Sequence, residues 1–375
     1  MENNITSIGD FRNYTISNES TPTVQIFSFG IKNTALIVII ITMYTLVFIP
    51  GLIGNLCFCT VVLARKKVRT VTNVLLFNLA IADLIILCVN LPFTVVVTIT
   101  HLYPFGLVMC KLQTFSQTLS VLAESFTIVA ISYDRYRAIV YPLKSKLSIK
   151  AAMIIIACSW IAAGPFAIVL LQFTTIVPLG TMGDFCREVW YSDSSRRIFT
   201  LIMFSSCLIA PLIISIYFYT SISMSLIKSK KLFRLDSKSK SILRRRRIAA
   251  IKCGVVMGLY FVCWLPAYLF AILTDYGFNM IEDETTYSMV YATINWIGYI
   301  NSCCNPIVYS FFNDSYRNAL YSVCGCSKGV VRDSSLHETS TSSIKRNKIH
   351  KRKTITTYQA SKGHAVTSIQ YLNSS

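Results

Sequence analysis

The sequence predicts an all-α membrane protein: seven membrane-crossing helices in one bundle, followed by a short amphipathic eighth helix. Three observations predict it. Of 375 residues, 53% are hydrophobic and only 14% are charged, against about 25% charged in an ordinary soluble domain. Seven apolar runs of 20 or more residues follow one another along the chain, and in a water-free bilayer core only helices satisfy the backbone over such lengths. The net charge is +19, and the basic residues gather in links between the runs and after the last of them, a membrane-face pattern that argues against a nucleic-acid partner.

The first 34 residues form a polar tail with no leader-like apolar stretch. Three acceptor tripeptides, at Asn4, Asn13 and Asn18, mark it as a glycosylated extracellular segment. The bundle is expected at 35–311, with runs at 35–63, 72–99, 110–140, 151–173, 198–227, 248–274 and 286–311. Pro50, Pro92, Pro165, Pro211, Pro266 and Pro306 fall inside these runs and are expected to kink them.

Basic residues orient the bundle. Arg65, Lys66, Lys67 and Arg69 occupy one link, Arg137, Lys144, Lys146 and Lys150 another, and ten lysines and arginines crowd 228–247. The opposite links hold Asp184, Glu188, Asp193, Asp275, Glu282, Asp283 and Glu284. The expectation is an extracellular N-terminus and a cytoplasmic C-terminus. The basic run at 228–247 reads first as a topology signal touching lipid headgroups, a role compatible with docking a partner.

Of thirteen cysteines, only Cys110 and Cys186 fall at the oxidising face, so a disulfide joins them. Residues 312–326 combine the surface helix with Cys324 and Cys326, which read either as an acylation site or as two reduced thiols. Residues 327–375 are Ser/Thr/Lys-rich and expected to be disordered, with a phosphorylation cluster at 339–343 for kinases.

Polar groups inside a membrane span are costly and point to function. Here they are Asn55, Asp83, Gln117, Glu124, Asn295, Asn301, Ser302 and Asn305. If Asp83 and Glu124 face one cavity, they cannot both be charged without a bound cation. Either one is protonated or Na⁺ sits between them. No other cofactor is expected.

Every run also supplies a mark in fixed order: Gly54-Asn55; Asn78 through Asp83; Cys110 with Asp134-Arg135-Tyr136; Trp160; Pro211 with Tyr219; Cys263-Trp264-Leu265-Pro266; and Asn305-Pro306-Ile307-Val308-Tyr309. In this the chain resembles the rhodopsin-like (class A) G-protein-coupled receptors over residues 35–326. The resemblance implies that Asp134 holds Arg135 at rest and that Arg135, beside Tyr136, then turns to a heterotrimeric G protein, supported by Tyr219 and Tyr309. It implies that Trp264, at the Pro266 kink, relays ligand contact to an outward swing of the sixth helix. It implies a sodium and water site at Asp83, Glu124, Asn301, Ser302 and Asn305. Receptor kinases, arrestin and membrane lipids are the further partners expected.

The chain departs from that pattern in four places. Tyr260 replaces the usual phenylalanine one turn before the tryptophan. Ser125 replaces the usual aliphatic residue that packs against Pro211 and that aromatic. Glu124 stands where serine is common, and Tyr103 replaces a tryptophan ahead of Phe105-Gly106.

Candidate ligand residues are Gln117, Trp264, Tyr268, Asn295, Trp296 and Tyr299. Gln117 occupies the position where amine receptors carry aspartate, so a protonated amine lacks its anchor and a peptide ligand is expected. Trp296-Ile297-Gly298-Tyr299 nevertheless resembles the seventh helix of amine receptors, which keeps a small monoamine-like ligand as the alternative, with a constitutively active orphan beside it. A proton or ion transporter is the remote reading, disfavoured because no two related halves are visible. The four histidines lie outside the bundle, and nothing resembles catalytic machinery, so no enzyme activity is expected.

Overall fold

The apolar runs become seven helical columns, α1 to α7, in a computed structural model that describes residues 30–143, 147–178, 183–232, 237–277 and 284–312. Asn4, Asn13, Asn18, the expected eighth helix, Cys324, Cys326 and the C-terminal tail lie outside the described residues.

Helix α1 (Thr34–Ala64) starts at Asn33, whose side chain accepts from the Ala35 N–H. Helix α2 (Val71–Thr100) starts at Thr70, which accepts from Asn73 N. Helices α3 (Gly106–Val140) and α4 (Ile149–Phe173) follow, the latter capped by Ser148. Helix α5 runs as Asp193–Phe204, a π-helical turn Ser205–Ile209, and Ala210–Leu232. Helices α6 (Ser237–Asp275) and α7 (Glu284–Phe312) complete the bundle. Because α5 and α6 extend past their apolar runs, Arg244 to Arg247 are helical rather than part of a loop.

Two of the expected proline kinks take a specific form. A π-helical turn, Ile86–Asn90, lies two residues before Pro92, and Ser205–Ile209 lies two residues before Pro211. Proline lacks an N–H and its ring crowds the carbonyl four residues back, and widening the preceding turn is one way a helix absorbs the mismatch.

Burial separates a central pair of columns from the rim. The most apolar stretches of α2 and α3 are 67% buried, those of α1 and α4 only 22%. On the rim, Leu46, Ile53, Ile154 and Ile161 are exposed, a surface only lipid would cover without cost. Six columns are apolar enough over 18 residues to cross a membrane by length and composition. The seventh, α7, is long enough but carries Asn295, Asn301, Ser302 and Asn305, which dilute its apolarity.

Close approaches and buried hydrogen bonds fix how the columns pack. A side chain at Gly54 would meet the Pro306 ring at 2.6 Å, so glycine lets α1 and α7 touch. Trp160 Nε1 on α4 donates to Asn78 Oδ1 on α2 over 2.8 Å, and Asn78 Nδ2 donates to Thr127 Oγ1 on α3 over 2.8 Å. The link after α4 is a hairpin that sequence reading left as a loop: β1 (Thr174–Pro178) pairs antiparallel with β2 (Asp184–Glu188), Ile176 opposite Cys186. Cys186 is joined to Cys110 at the start of α3, with Cα atoms 5.6 Å apart, so the expected disulfide is present.

Candidate functional site

Helix α3 organises three polar layers between its disulfide end and its Arg135 end. At the disulfide end, Tyr103 Oη donates to Gln113 Oε1 over 2.9 Å, and Gln113 Nε2 donates to Thr94 Oγ1 over 3.2 Å. Thr94 Oγ1 in turn lies 2.7 Å from Tyr299 Oη. Tyr103 is 3% exposed, and burial pushes its phenol up to about 12, so it stays a donor at physiological pH. Gln117 lies half-buried one turn deeper than Gln113 on the same helix. Gln113, Thr94 and Tyr103 did not stand out as ligand residues in the sequence. The i, i+4 spacing of Gln113 and Gln117 on an apolar helix is the signal that points to the first of them.

The expected aromatic residues divide into two groups. Trp264 and Tyr268 stand one turn apart on α6, with Tyr268 6.3 Å from Phe204 on α5. Trp264 is buried, and its Nε1 has no hydrogen-bond partner. Trp296 turns instead to α1, donating from Nε1 to Met43 O over 2.8 Å. Tyr299 packs edge-on against Tyr44 at 6.0 Å and is 2% exposed. Asn295 bonds back to Tyr291 O on its own helix. Tyr268 thus belongs to an α5–α6 cluster and Trp264 lies against Gly298 on α7, whereas Trp296 and Tyr299 stitch α7 to α1 and α2.

Carboxylates and arginines meet at this end. Asp275, the last residue of α6, faces Arg196 Nε at 3.0 Å through Oδ1, accepts from Thr200 Oγ1 at 2.5 Å through Oδ2, and accepts from Arg197 Nε at 2.7 Å through its carbonyl. Glu188, on β2, accepts from Trp190 Nε1 at 2.8 Å, and the Trp190 ring stacks on Phe173 at 4.0 Å. Asp275 is therefore matched by arginine, and Glu188 accepts from an indole with Arg196 nearby.

The middle layer gathers all five residues expected at the inner site. Asn305 Nδ2 donates to Asp83 Oδ2 over 2.9 Å, and Asn301 Nδ2 donates to Glu124 Oε2 over 3.1 Å. The Ser302 hydroxyl and Glu124 both neighbour the Asp83 carboxyl. None of the five is more than 2% exposed. The Asp83 and Glu124 carboxyls lie within hydrogen-bonding reach of each other, and Asn301 Oδ1, Asn305 Oδ1 and the nearby Asn55 Oδ1 have no hydrogen-bond partner among the described residues. Buried acceptors left bare in this way are costly. Oxygen donors with up to two negative charges suit a small hard cation, so the residues present fit one. Among the described residues, no three His, Cys, Asp or Glu side chains cluster as a transition-metal site.

At the far end, Asp134 Oδ2 receives Arg135 Nη2 at 2.5 Å and Thr72 Oγ1 at 2.7 Å. Arg135 also contacts Thr72 directly. Tyr136 packs on Phe218 at 5.1 Å. Tyr219 on α5 lies against Gly254 on α6, and its hydroxyl is buried without a partner. The side chain of Tyr309 is outside the described residues.

The sequence matches the family model for the 7 transmembrane receptor (rhodopsin family) over residues 54–309. It is 34% identical over 302 residues to neuropeptide FF receptor 2 of Rattus norvegicus, covering 75% of this chain and 71% of that one. It is 31% identical over 309 residues to the pyroglutamylated RF-amide peptide receptor of Rattus norvegicus, covering 77% and 70%. It is 30% identical over 301 residues to the RYamide receptor of Tribolium castaneum, covering 75% and 79%. Bundle, disulfide and Arg135–Asp134 pair agree with that match: the chain belongs to the rhodopsin family of seven-transmembrane receptors, a family of receptors rather than enzymes.

Proposed function

We propose that this receptor binds a peptide ending in an arginine, an aromatic residue and a C-terminal amide, and passes the signal to a heterotrimeric G protein. The observation that carries the reading is two carboxylates at the disulfide end, Asp275 and Glu188, together with the neutral amides and hydroxyls of Gln113, Gln117 and Thr94. A guanidinium pairs with carboxylate there. The uncharged C-terminal amide finds donors and acceptors at Gln117, Gln113 and Thr94, where a free carboxylate would find no cation among the residues described. The aromatic side chain has Trp264 and Tyr268 to pack on. Relatives named for RF-amide, RYamide and neuropeptide FF ligands support a peptide over the monoamine, orphan and transporter readings.

The bundle sits in the plasma membrane with its N-terminus and disulfide end outside. The topology of basic links supports this, as do Asn4, Asn13 and Asn18 as glycan acceptors. In the middle layer Asp83, Glu124, Asn301, Ser302 and Asn305 hold Na⁺, which supplies positive charge to a carboxyl pair in a dry site. The Asp134–Arg135 pair is the resting arrangement of the coupling face, with Tyr136, Tyr219 and Tyr309 around it. Acylation at Cys324 and Cys326, contact of the basic links with anionic lipids, and engagement of kinases and arrestin by the 339–343 cluster complete the reading.

The deciding experiment measures second-messenger output in cells expressing the full chain. The panel pairs Arg-Phe-amide and Arg-Tyr-amide peptides with their free-acid forms and with monoamines. Responses are expected to the amidated peptides alone, and to vanish in Arg135→Ala. A response to monoamines, or equal responses to amide and free acid, would overturn the ligand assignment.

A further inference from the structure

Two of the residues that depart from the family pattern meet at one atom. Pro211 has no N–H to offer the carbonyl four residues back, which belongs to Cys207 in the π-helical turn of α5. Ser125 Oγ on α3 donates to that carbonyl over 2.8 Å. Tyr260 Oη on α6 reaches the same carbonyl at 3.4 Å and Val121 O on α3 at 3.3 Å. Ser125 and Cys207 are 0% exposed and Tyr260 is 1% exposed. An aliphatic residue and a phenylalanine at these positions would only pack. Here a serine and a tyrosine join three helices through directed bonds.

We propose that Ser125 and Tyr260 are positioning residues for activation: by sharing the Cys207 carbonyl they hold α6 against α3 and α5 at rest and so set the receptor's basal signalling. The bonds coexist with the closed Arg135–Asp134 pair, so they belong to the resting arrangement. Tyr260 lies on the Arg135 side of Trp264 and Pro266. A swing of α6 pivoting at Pro266 therefore carries its hydroxyl away from acceptors on α5 and α3. Its two bonds are long and shared, so a displacement of well under 1 Å breaks them. Ser125, bonded at 2.8 Å, stays with α5. The Tyr268 phenol, two turns along α6 from Tyr260, lies beside the Cys207 thiol. A ligand that moves Tyr268 thereby disturbs the residue whose carbonyl the latch holds.

The inference rests on the receptor reading above, and the test separates the two. Ligand-free second-messenger output of the full chain is measured per surface receptor for Tyr260→Phe, Ser125→Ala, Ser125→Thr and the Tyr260→Phe/Ser125→Ala double variant, with Arg135→Ala as the coupling control. Tyr260→Phe is expected to raise basal output about fivefold, the population shift that one buried neutral hydrogen bond sustains. Ser125→Ala also raises it, and Ser125→Thr, which keeps the hydroxyl, stays at the parent value. The double variant exceeds the product of the singles because the Cys207 carbonyl is then bare. Tyr260→Phe keeps the ring and Ser125→Thr keeps the hydroxyl, so a rise in the first without a rise in the second separates loss of the bonds from a packing defect. Parent-level output in both single loss variants, or a Ser125→Thr variant as active as Ser125→Ala, overturns the proposal. If Arg135→Ala shows that the measured output does not pass through this face, an environment-sensitive fluorophore on Ile248→Cys reads the α6 position directly. A spectrum unmoved by Tyr260→Phe then overturns the latch without reference to coupling.

Discussion

Asn301 on α7 donates its side-chain N–H to Glu124 on α3 over 3.1 Å, at a point where both residues are 1% exposed. The bond spends one carboxylate oxygen of Glu124, whose carboxyl lies within hydrogen-bonding reach of Asp83. A cation at this layer binds the folded state and not the unfolded chain, so it stabilises the receptor by mass action. Replacing N-methylglucamine by Na⁺ at constant ionic strength should raise the melting temperature of purified receptor, with a gain of about 1.4 kcal/mol at tenfold over the dissociation constant. Asp83→Asn should abolish the gain and Glu124→Ser should shift its midpoint. Melting curves that ignore Na⁺ in the parent protein would remove the cation from the inner site.

Asp275 binds α5 through three separate contacts, and the proposed function makes it a partner for the ligand's arginine. Asp275→Asn keeps the side chain's shape and removes the charge. Affinity for an Arg-aromatic-amide peptide should fall about 10- to 100-fold, as for loss of a charge-assisted hydrogen bond. A peptide with citrulline in place of arginine should lose much less on the variant than on the parent. Competition binding with the two peptides gives the double cycle, and independent losses would place the arginine elsewhere.

Tyr103 holds Gln113 in place, and its phenol stays protonated until about pH 12 because it is buried. The sign follows directly: a raised tyrosine value keeps the donor present through the range where an ordinary phenol, at about 10, ionises. Peptide affinity should therefore show no loss attributable to Tyr103 up to about pH 11, past the range where an ordinary phenol ionises. Tyr103→Phe should lower affinity about fivefold at every pH in that interval. A Tyr103-dependent loss with its midpoint near about pH 10 would mean the phenol is exposed in the bound state.

The disulfide closes a loop 76 residues in sequence, for which chain entropy gives about 4 to 5 kcal/mol of stabilisation. It also ties the β1–β2 hairpin to the start of α3. Cys110→Ser and Cys186→Ser should each cut surface expression severely, and the double variant should be no worse than either. Surface labelling of tagged receptor measures this. A double variant much worse than the singles would mean each cysteine has a role outside the bond.

Much of the site was legible because lipid imposes simple rules. Asp83, Asn301 and Asn305 are polar in runs where polarity is costly, and burial is the only way to keep them. Cys110 and Cys186 stood out because the other cysteines lie away from the oxidising face. Rotation about the helix axes was not legible. Trp296 and Tyr299 could be placed on a ligand floor by their positions along α7, yet they turn to Met43 and Tyr44. In a membrane helix, lipid-facing and protein-facing sides are both apolar, so periodicity does not tell them apart.

The amino-acid sequence by itself determined the number of spans, their order, the cysteine pair and the layers of polar residues along α3, since each follows from local hydrophobicity or spacing. Only the tertiary structure decided which side chains share an atom. Ser125 and Tyr260 are 135 residues apart, and the family pattern implies only that their positions pack together beside Pro211. They converge because Pro211 strips the Cys207 carbonyl of its helical donor, and a buried carbonyl without a partner is filled by whatever hydroxyls the neighbouring helices bring to it.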